Sequence, residues 1–373
     1  MDTRPLTTRA VPQRATLDFE DHPLLVIWEV TQACDLVCQH CRACAKPSRD
    51  PDELTTEEGF RVLDQVAAMG TPLVVLTGGD PARRPDLVEL VAHGTARGLS
   101  MAVTPSGTPT MTRELLGRLR DAGLSRLAVS VDGADAGTHD AFRGVSGSFQ
   151  ESLRILEDAR SLGVERQVNS TLGPHNHGQL RALTELVTSV GAVLWSVFVV
   201  VPTGRAGASL LFGARHLEGA LGELAELAEG APFDVKTTAA PHYRRVLLQR
   251  HGERSRGILR DVDEHGVVKG MRGINDGLGF LFVSHLGALY PSGFLPLSAG
   301  NVRTDDLATV YREHPLFRQL RDPGQLHGRC GRCPFRRVCG GSRARAWAMT
   351  GDLGAEDPLC AYVPRDASAA PAE

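Results

Sequence analysis

Short apolar runs alternate with longer amphipathic stretches along residues 24–201. The runs at 24–30, 73–77, 101–104, 126–131, 167–171 and 193–201 are the length and composition of buried strands. Between them, apolar positions recur at helical spacing over 57–69, 86–96, 112–122, 150–162 and 178–190. Thr55 and Thr56 ahead of Glu57 and Glu58 predict an N-cap with an acidic first turn, and Asp86 after Pro85 predicts the next cap. Strand and helix in short alternation imply a parallel sheet covered by helices. Right-handed crossovers curl such a run into a full or partial barrel, or leave an open doubly wound sheet. In each case chemistry gathers at the carboxyl ends of the strands.

Beyond residue 232 the periodicity changes. Residues 251–279 are rich in Gly and charge and read as an insertion or linker. Residues 279–290 alternate around His285-Leu286-Gly287, which predicts a hairpin. Residues 305–320 are amphipathic, a cysteine-rich segment starts near Arg329, and the Ala/Pro-rich tail 366–373 is expected to be disordered.

Composition narrows the class. With 42% apolar residues, 23% charged residues and a net charge of -3, the 373-residue chain is a globular protein, not a fibre or a disordered tail. A near-neutral balance argues against a nucleic-acid partner. The run 194–201 is too short to span a bilayer, and the first twenty residues lack a signal-peptide core. A cytoplasmic protein with no membrane partner is therefore expected. Lysine occurs only at Lys46, Lys236 and Lys269. In that compartment eight cysteines read as metal ligands or redox thiols before disulfides. They form two groups, Cys34, Cys38, Cys41 and Cys44, then Cys330, Cys333, Cys339 and Cys360.

Cys34, Cys38 and Cys41 have the spacing C-x3-C-x2-C just past the first strand. Three thiolates on a four-iron cluster leave one iron open to a small molecule, whereas four close the shell. Zinc, or reduced thiols without metal, fit the spacing too. Gly78-Gly79-Asp80-Pro81 ends the second strand, Ser130-Val131-Asp132-Gly133 ends the fourth and leads into the run from Thr138 to Arg143 and Gly144, and Asn169-Ser170-Thr171 ends the fifth. Taken singly, these are a strand-to-helix turn, helix caps at Asp132 and Asp140, and a surface ion pair at Arg143.

Taken together, they resemble the radical S-adenosylmethionine (SAM) enzymes over residues 24–205. The resemblance implies an α/β fold, a partial (β/α)6 TIM-like barrel. It places a [4Fe-4S] cluster on Cys34, Cys38 and Cys41, with His40 beside it contacting adenine or packing in the loop. It also implies SAM bound by Gly78, Gly79, Asp80 and Pro81 (Asp standing where the family has Glu), with Ser130, Asp132, Asn169 and Thr171 near it and Arg143 on its carboxylate. Cys44 lies outside the family pattern and is expected to be a free thiol.

Cys330, Cys333, Cys339 and Cys360 resemble the SPASM/twitch-like iron–sulfur extension of that family, with a structural zinc knot as the rival reading. Ser292 and Arg343 stand where a full SPASM region has further cysteines, which implies one auxiliary [4Fe-4S] cluster, not two. The implied organisation is an arm (1–20), a barrel (21–232), a linker (233–278), the auxiliary-cluster extension (279–365) and a tail (366–373). The run from Cys339 to Ala346 resembles the tetrapyrrole-remodelling branch of the family. The implied activity is cleavage of SAM to a 5′-deoxyadenosyl radical, which takes hydrogen from a carboxylate-bearing small molecule such as a tetrapyrrole propionate, giving oxidation or decarboxylation. A reductant such as flavodoxin or ferredoxin would supply the electron. Maturation of a ribosomal peptide is the second reading, and a non-enzymatic electron-transfer or metal-carrier protein the third.

Overall fold

The computed structural model describes residues 18–250 and 273–364. The expectations for most of the arm, for residues 251–272 of the linker and for the tail lie outside the described residues. Six expected strands are present as β1 (Leu25–Thr31), β2 (Leu73–Gly78), β3 (Ser100–Val103), β4 (Leu124–Ser130), β5 (Glu165–Leu172) and β6 (Leu194–Val199). They pair in parallel and in chain order, as right-handed β/α units require. Helices α1 (Thr56–Ala68), α2 (Leu87–Ala96), α3 (Arg113–Asp121), α4 (Ala136–Arg143), α5 (Ser148–Ser161) and α6 (Leu180–Ser189) connect them.

The sheet extends past both expected edges. β7 (Asp234–Thr238) pairs in parallel with β6 inside the segment read as linker, and is entered from α7 (Ala214–Ala228) and followed by α8 (His242–Arg250). β8 (Phe280–Val283), from the carboxy-terminal extension, pairs in parallel with β1 on the other side. The predicted hairpin is β8 with β9 (Ala288–Tyr290), antiparallel, and β10 (Gly300–Asn301) pairs with β9 beyond it. The order is β10-β9-β8-β1-β2-β3-β4-β5-β6-β7, a partial barrel whose first strand is flanked by the last part of the chain to pair. β7 was hard to see because Asp234-Val235-Lys236-Thr237-Thr238 carries one strongly apolar residue.

Apolar side chains from alternate strand positions face the helices. Val26, Trp28 and Val30 of β1, Val74 and Leu76 of β2, and Trp195, Val197 and Val199 of β6 are buried with Val62, Leu63 and Val66 of α1 in the main core. The intervening positions, among them Glu29, Asn169 and Ser196, face the barrel lumen by the two-residue period. Thr55 forms the predicted cap, in a capping box with Glu58. Asp86 does not cap α2 through its side chain; its carboxylate is held by Arg84 at 2.7 Å and Thr56 at 2.7 Å. The rest of the extension comprises α9 (Leu307–Glu313), α10 (Pro315–Arg321), α11 (Gly328–Arg332) and α12 (Arg343–Thr350). No helix among the described residues is long and apolar enough to cross a membrane.

Candidate active site

The loop carrying Cys34, Cys38 and Cys41 leaves β1 at Thr31 and is closed at its base. Cys34 N donates to Lys46 O at 2.8 Å, Lys46 N donates to Gln32 O at 3.0 Å, and the Gln32 amide reaches Ala43 O at 2.9 Å. Each of these thiols has an N–H donor within reach. The Cys34 sulfur lies 3.3 Å from Ser106 Oγ and also faces the Leu36 N–H at 3.4 Å. Arg143 Nη1 stands 3.8 Å from the Cys38 sulfur, and the Ala45 N–H is 3.5 Å from that of Cys41. Burial raises the pKa of the Cys34 and Cys38 thiols, while Ser106 and Arg143 act in the opposite direction. Cys44 is exposed. On the far side, Gly204 sits at φ +61°, where a Cβ would meet Arg42 O at 2.4 Å and Cys41 O at 2.5 Å, and Arg205 N donates to Cys41 O at 3.0 Å. The turn after β6 therefore clasps the cysteine loop.

Gly78 and Gly79 are needed by the protein's own backbone. A Cβ on Gly78 would lie 2.3 Å from Thr31 O, and one on Gly79 would lie 2.5 Å from both Gln32 O and Ala33 O. Gly79 N and Asp80 N donate to Thr31 O and Ala33 O at 2.8 and 2.7 Å. The turn after β2 is thus pressed against the root of the cysteine loop. Asp80 is fully buried, caps the one-turn 3-10 helix Pro81–Arg83, and accepts from Thr108 Oγ1 at 2.6 Å and Ser106 N at 3.3 Å. Ser106 also donates to Gly79 O at 2.7 Å, so the loop after β3 joins this turn to Cys34.

Asp132, at the end of β4, is fully buried. Its Oδ2 is 2.5 Å from Arg143 Nη2, and its Oδ1 accepts from Thr171 N at 2.6 Å. Burial opposes ionisation there, but the Arg143 guanidinium outweighs it and holds the carboxyl near 2. Asp132 caps no helix, since Asp135 caps α4, whereas Asp140 accepts from Gly147 N and Phe149 N at the start of α5. His40 stacks on Phe142 with ring centroids 4.1 Å apart, and Phe142 on His175 at 3.8 Å. Burial and the nearby Arg143 lower His40 to about 3, so its ring is neutral. Asn169 accepts from Gln167 at 2.7 Å, and Ser130 faces it in register on β4.

The second cysteine group also converges. Cys330, Cys333, Cys339 and Cys360 line one cavity with His242, Arg245 and Arg336. Here too each sulfur has a donor: Arg343 Nη2 at 3.9 Å for Cys330, Gly341 N at 3.5 Å for Cys339, and the backbone N–H of Phe335 and Tyr362 for Cys333 and Cys360. Three of these donors lie two residues after their cysteine, as Leu36 does after Cys34. Burial pushes the Cys339 thiol up to about 12 and Cys333 to about 11.

Residues 28–187 match the Radical SAM superfamily. The AdoMet-dependent heme synthase of Nitratidesulfovibrio vulgaris is 40% identical over 91% of this chain and 93% of its own length. The chain belongs to the radical SAM superfamily. Within it, the Fe-coproporphyrin III synthase of Methanosarcina barkeri is 30% identical over 95% of this chain and 91% of its own. This is a radical SAM enzyme of the heme synthase and coproporphyrin branch. Streptococcus suis SuiB bound to S-adenosylmethionine has the same fold at 15% identity, with a TM-score of 0.71 over 92% of this chain and 78% of that one.

The radical SAM family carries a [4Fe-4S] cluster and SAM, and the donor set fits such a cluster. Three thiols, each with an N–H donor within reach, are what a polynuclear, sulfur-bridged centre takes. Arg143, expected on the SAM carboxylate, pairs with Asp132 and stands beside Cys38. Ser292, standing in a cysteine position of a full SPASM region, donates to Asp276, whose other oxygen accepts Ala344 N at 2.9 Å; Arg343 donates to Leu353 O and Ala355 O. Those positions are occupied by hydrogen bonds between protein groups. Sequence reasoning missed Ser106, Thr108, Phe142 and the lumen pair of Glu29 and Arg42. The polar run Thr104-Pro105-Ser106-Gly107-Thr108 after the third strand was the available signal for the first two.

Proposed function

We propose that Cys34, Cys38 and Cys41 hold the [4Fe-4S] cluster, that SAM binds its open iron, and that the substrate is a tetrapyrrole whose propionate side chain is oxidatively decarboxylated. The observation that carries this reading is 40% identity to a heme synthase along nine-tenths of both chains. When bound, the cluster and SAM supply the radical that abstracts hydrogen.

The chain's own residues would position and shield. The ends of β1 to β6 surround one mouth, where Ser130, Asp132, Asn169 and Thr171 lie closest to a ligand in the lumen. His40, Phe142 and His175 make a neutral aromatic wall beside the cysteine loop, suited to a flat base. Gly78, Gly79, Asp80 and Pro81 fix the cysteine loop, beside which SAM would bind. Arg143 beside Cys38 compensates thiolate charge. Cys330, Cys333, Cys339 and Cys360 would ligate an auxiliary [4Fe-4S] cluster on every iron, suited to accept the electron released with carbon dioxide. A reductant such as flavodoxin or ferredoxin would deliver the initiating electron.

The test is anaerobic reconstitution followed by dithionite, SAM and iron-coproporphyrin III. The reading expects 5′-deoxyadenosine together with a porphyrin lighter by one carboxyl group per turnover. Release of 5′-deoxyadenosine without change in the porphyrin mass, but with a modified peptide, would move the substrate to the peptide class.

A further inference from the structure

One row of residues crosses the sheet at the level of the candidate site. Ser130 on β4 is in register with Asn169 on β5, Asn169 with Ser196 on β6, and Ser196 with Lys236 on β7. Val235 and its partner Trp195 pack into the main core, so the alternating positions Ser196 and Lys236 face the lumen. The row immediately above consists of Thr171, Phe198 and Thr238, with Thr171 N on Asp132. Lys236 therefore stands one row below the strand ends that carry the cysteine loop and Asp132.

The Lys236 side chain makes no ion pair or hydrogen bond among the described residues. Two carboxylates on this side of the sheet are already paired: Asp132 with Arg143 at 2.5 Å, and the exposed Glu165, at the start of β5, with Arg126 at 2.8 Å. Asp234 is on the same face of β7, two residues back, and forms no ion pair with it. The side chain is open to water on the lumen face of β7. Its row companions Ser130, Asn169 and Ser196 are neutral, leaving one uncompensated positive charge inside the barrel.

Resting on the tetrapyrrole reading, we propose that Lys236 is a specificity residue that binds a carboxylate of the substrate inside the lumen. The chemistry follows from the side chain. An ammonium is a compact point charge on a flexible stem, able to follow a carboxylate on a two-carbon arm. A charge-assisted contact formed away from bulk water is among the stronger polar contacts available. Arg126, lower on β4, is tied to Glu165, and Lys236 is the cation of the row Ser130, Asn169, Ser196 and Lys236.

The experiment titrates the anaerobic, cluster-loaded protein with iron-coproporphyrin III and with its tetramethyl ester, following the Soret band. Wild type should prefer the acid, and Lys236→Met should weaken acid binding by about tenfold or more while leaving the ester unaffected. Lys236→Arg, which keeps the charge, should retain the preference for acid over ester and shows that the position tolerates a variant. In turnover the loss should fall on KM more than on kcat. Equal acid affinity in wild type and Lys236→Met overturns the proposal while the tetrapyrrole reading stands. Failure of wild type to bind either porphyrin overturns that reading, and this inference with it.

Discussion

His285 Nδ1 lies 2.7 Å from Glu29 Oε1, although the two residues are 256 positions apart. Arg42, next to Cys41, grips the other oxygen of Glu29 at 2.5 Å and lies over the Phe282 ring at 4.5 Å. The extension, the first strand and the cysteine loop thus share one buried carboxylate. Burial would raise the pKa of Glu29, but Arg42 and His285 outweigh it and lower it below 4.5.

Glu29→Ala should cost about 3–5 kcal/mol, because Arg42 and His285 are left buried without their anion. Anaerobic chemical denaturation measures it. A depressed carboxylate stabilises the fold above its unfolded pKa and loses that contribution as pH falls through the folded value. The wild type should therefore weaken below about pH 4.5, and Glu29→Ala should weaken less steeply over that window.

Asp132→Ala should also lose about 3–5 kcal/mol, since Arg143 keeps a buried charge. Asp132 is held near 2, so its contribution should be complete at neutral pH and decline only between about pH 4 and 2. A pH series of denaturation midpoints, wild type against variant, tests both the size and the window.

Gly79→Ala places a methyl group against two backbone carbonyls at 2.5 Å, and neither can swing aside as a side chain would. A loss of about 1–3 kcal/mol is expected from overpacking. Iron content after anaerobic reconstitution should fall with it, because the carbonyls belong to the root of the cysteine loop. Unchanged stability and iron would show that the loop is not pinned there.

Cys38→Ala should abolish 5′-deoxyadenosine release under dithionite, whereas exposed Cys44→Ala should retain it. Cys333→Ala should still cleave SAM but impair product formation, with fewer irons per chain. Normal turnover in Cys333→Ala would reduce the second cysteine group to a structural role.

Much of the site was legible because its parts are local. Three cysteines within eight residues, two adjacent glycines and the Ser130–Gly133 run each sit at the end of a strand with its own apolar pattern. The helix caps show the limit of that reading. Asp86 and Thr55 look alike in sequence, yet Asp86 is claimed by Arg84, a neighbour in sequence whose side chain reaches β1 carbonyl Val30 O at 2.9 Å and is thereby fixed.

What the sequence determined by itself is the order of the β/α units, the two cysteine groups and the end of the sheet where the first of them sits. Alternation and spacing encode these over a few residues. Only the tertiary structure decided that β8 would close against β1, that Arg143 would answer Asp132, and that a lysine on a polar strand would face the lumen. Pairing register and burial set those outcomes. They arise from contacts between segments distant in the chain, which no local pattern specifies.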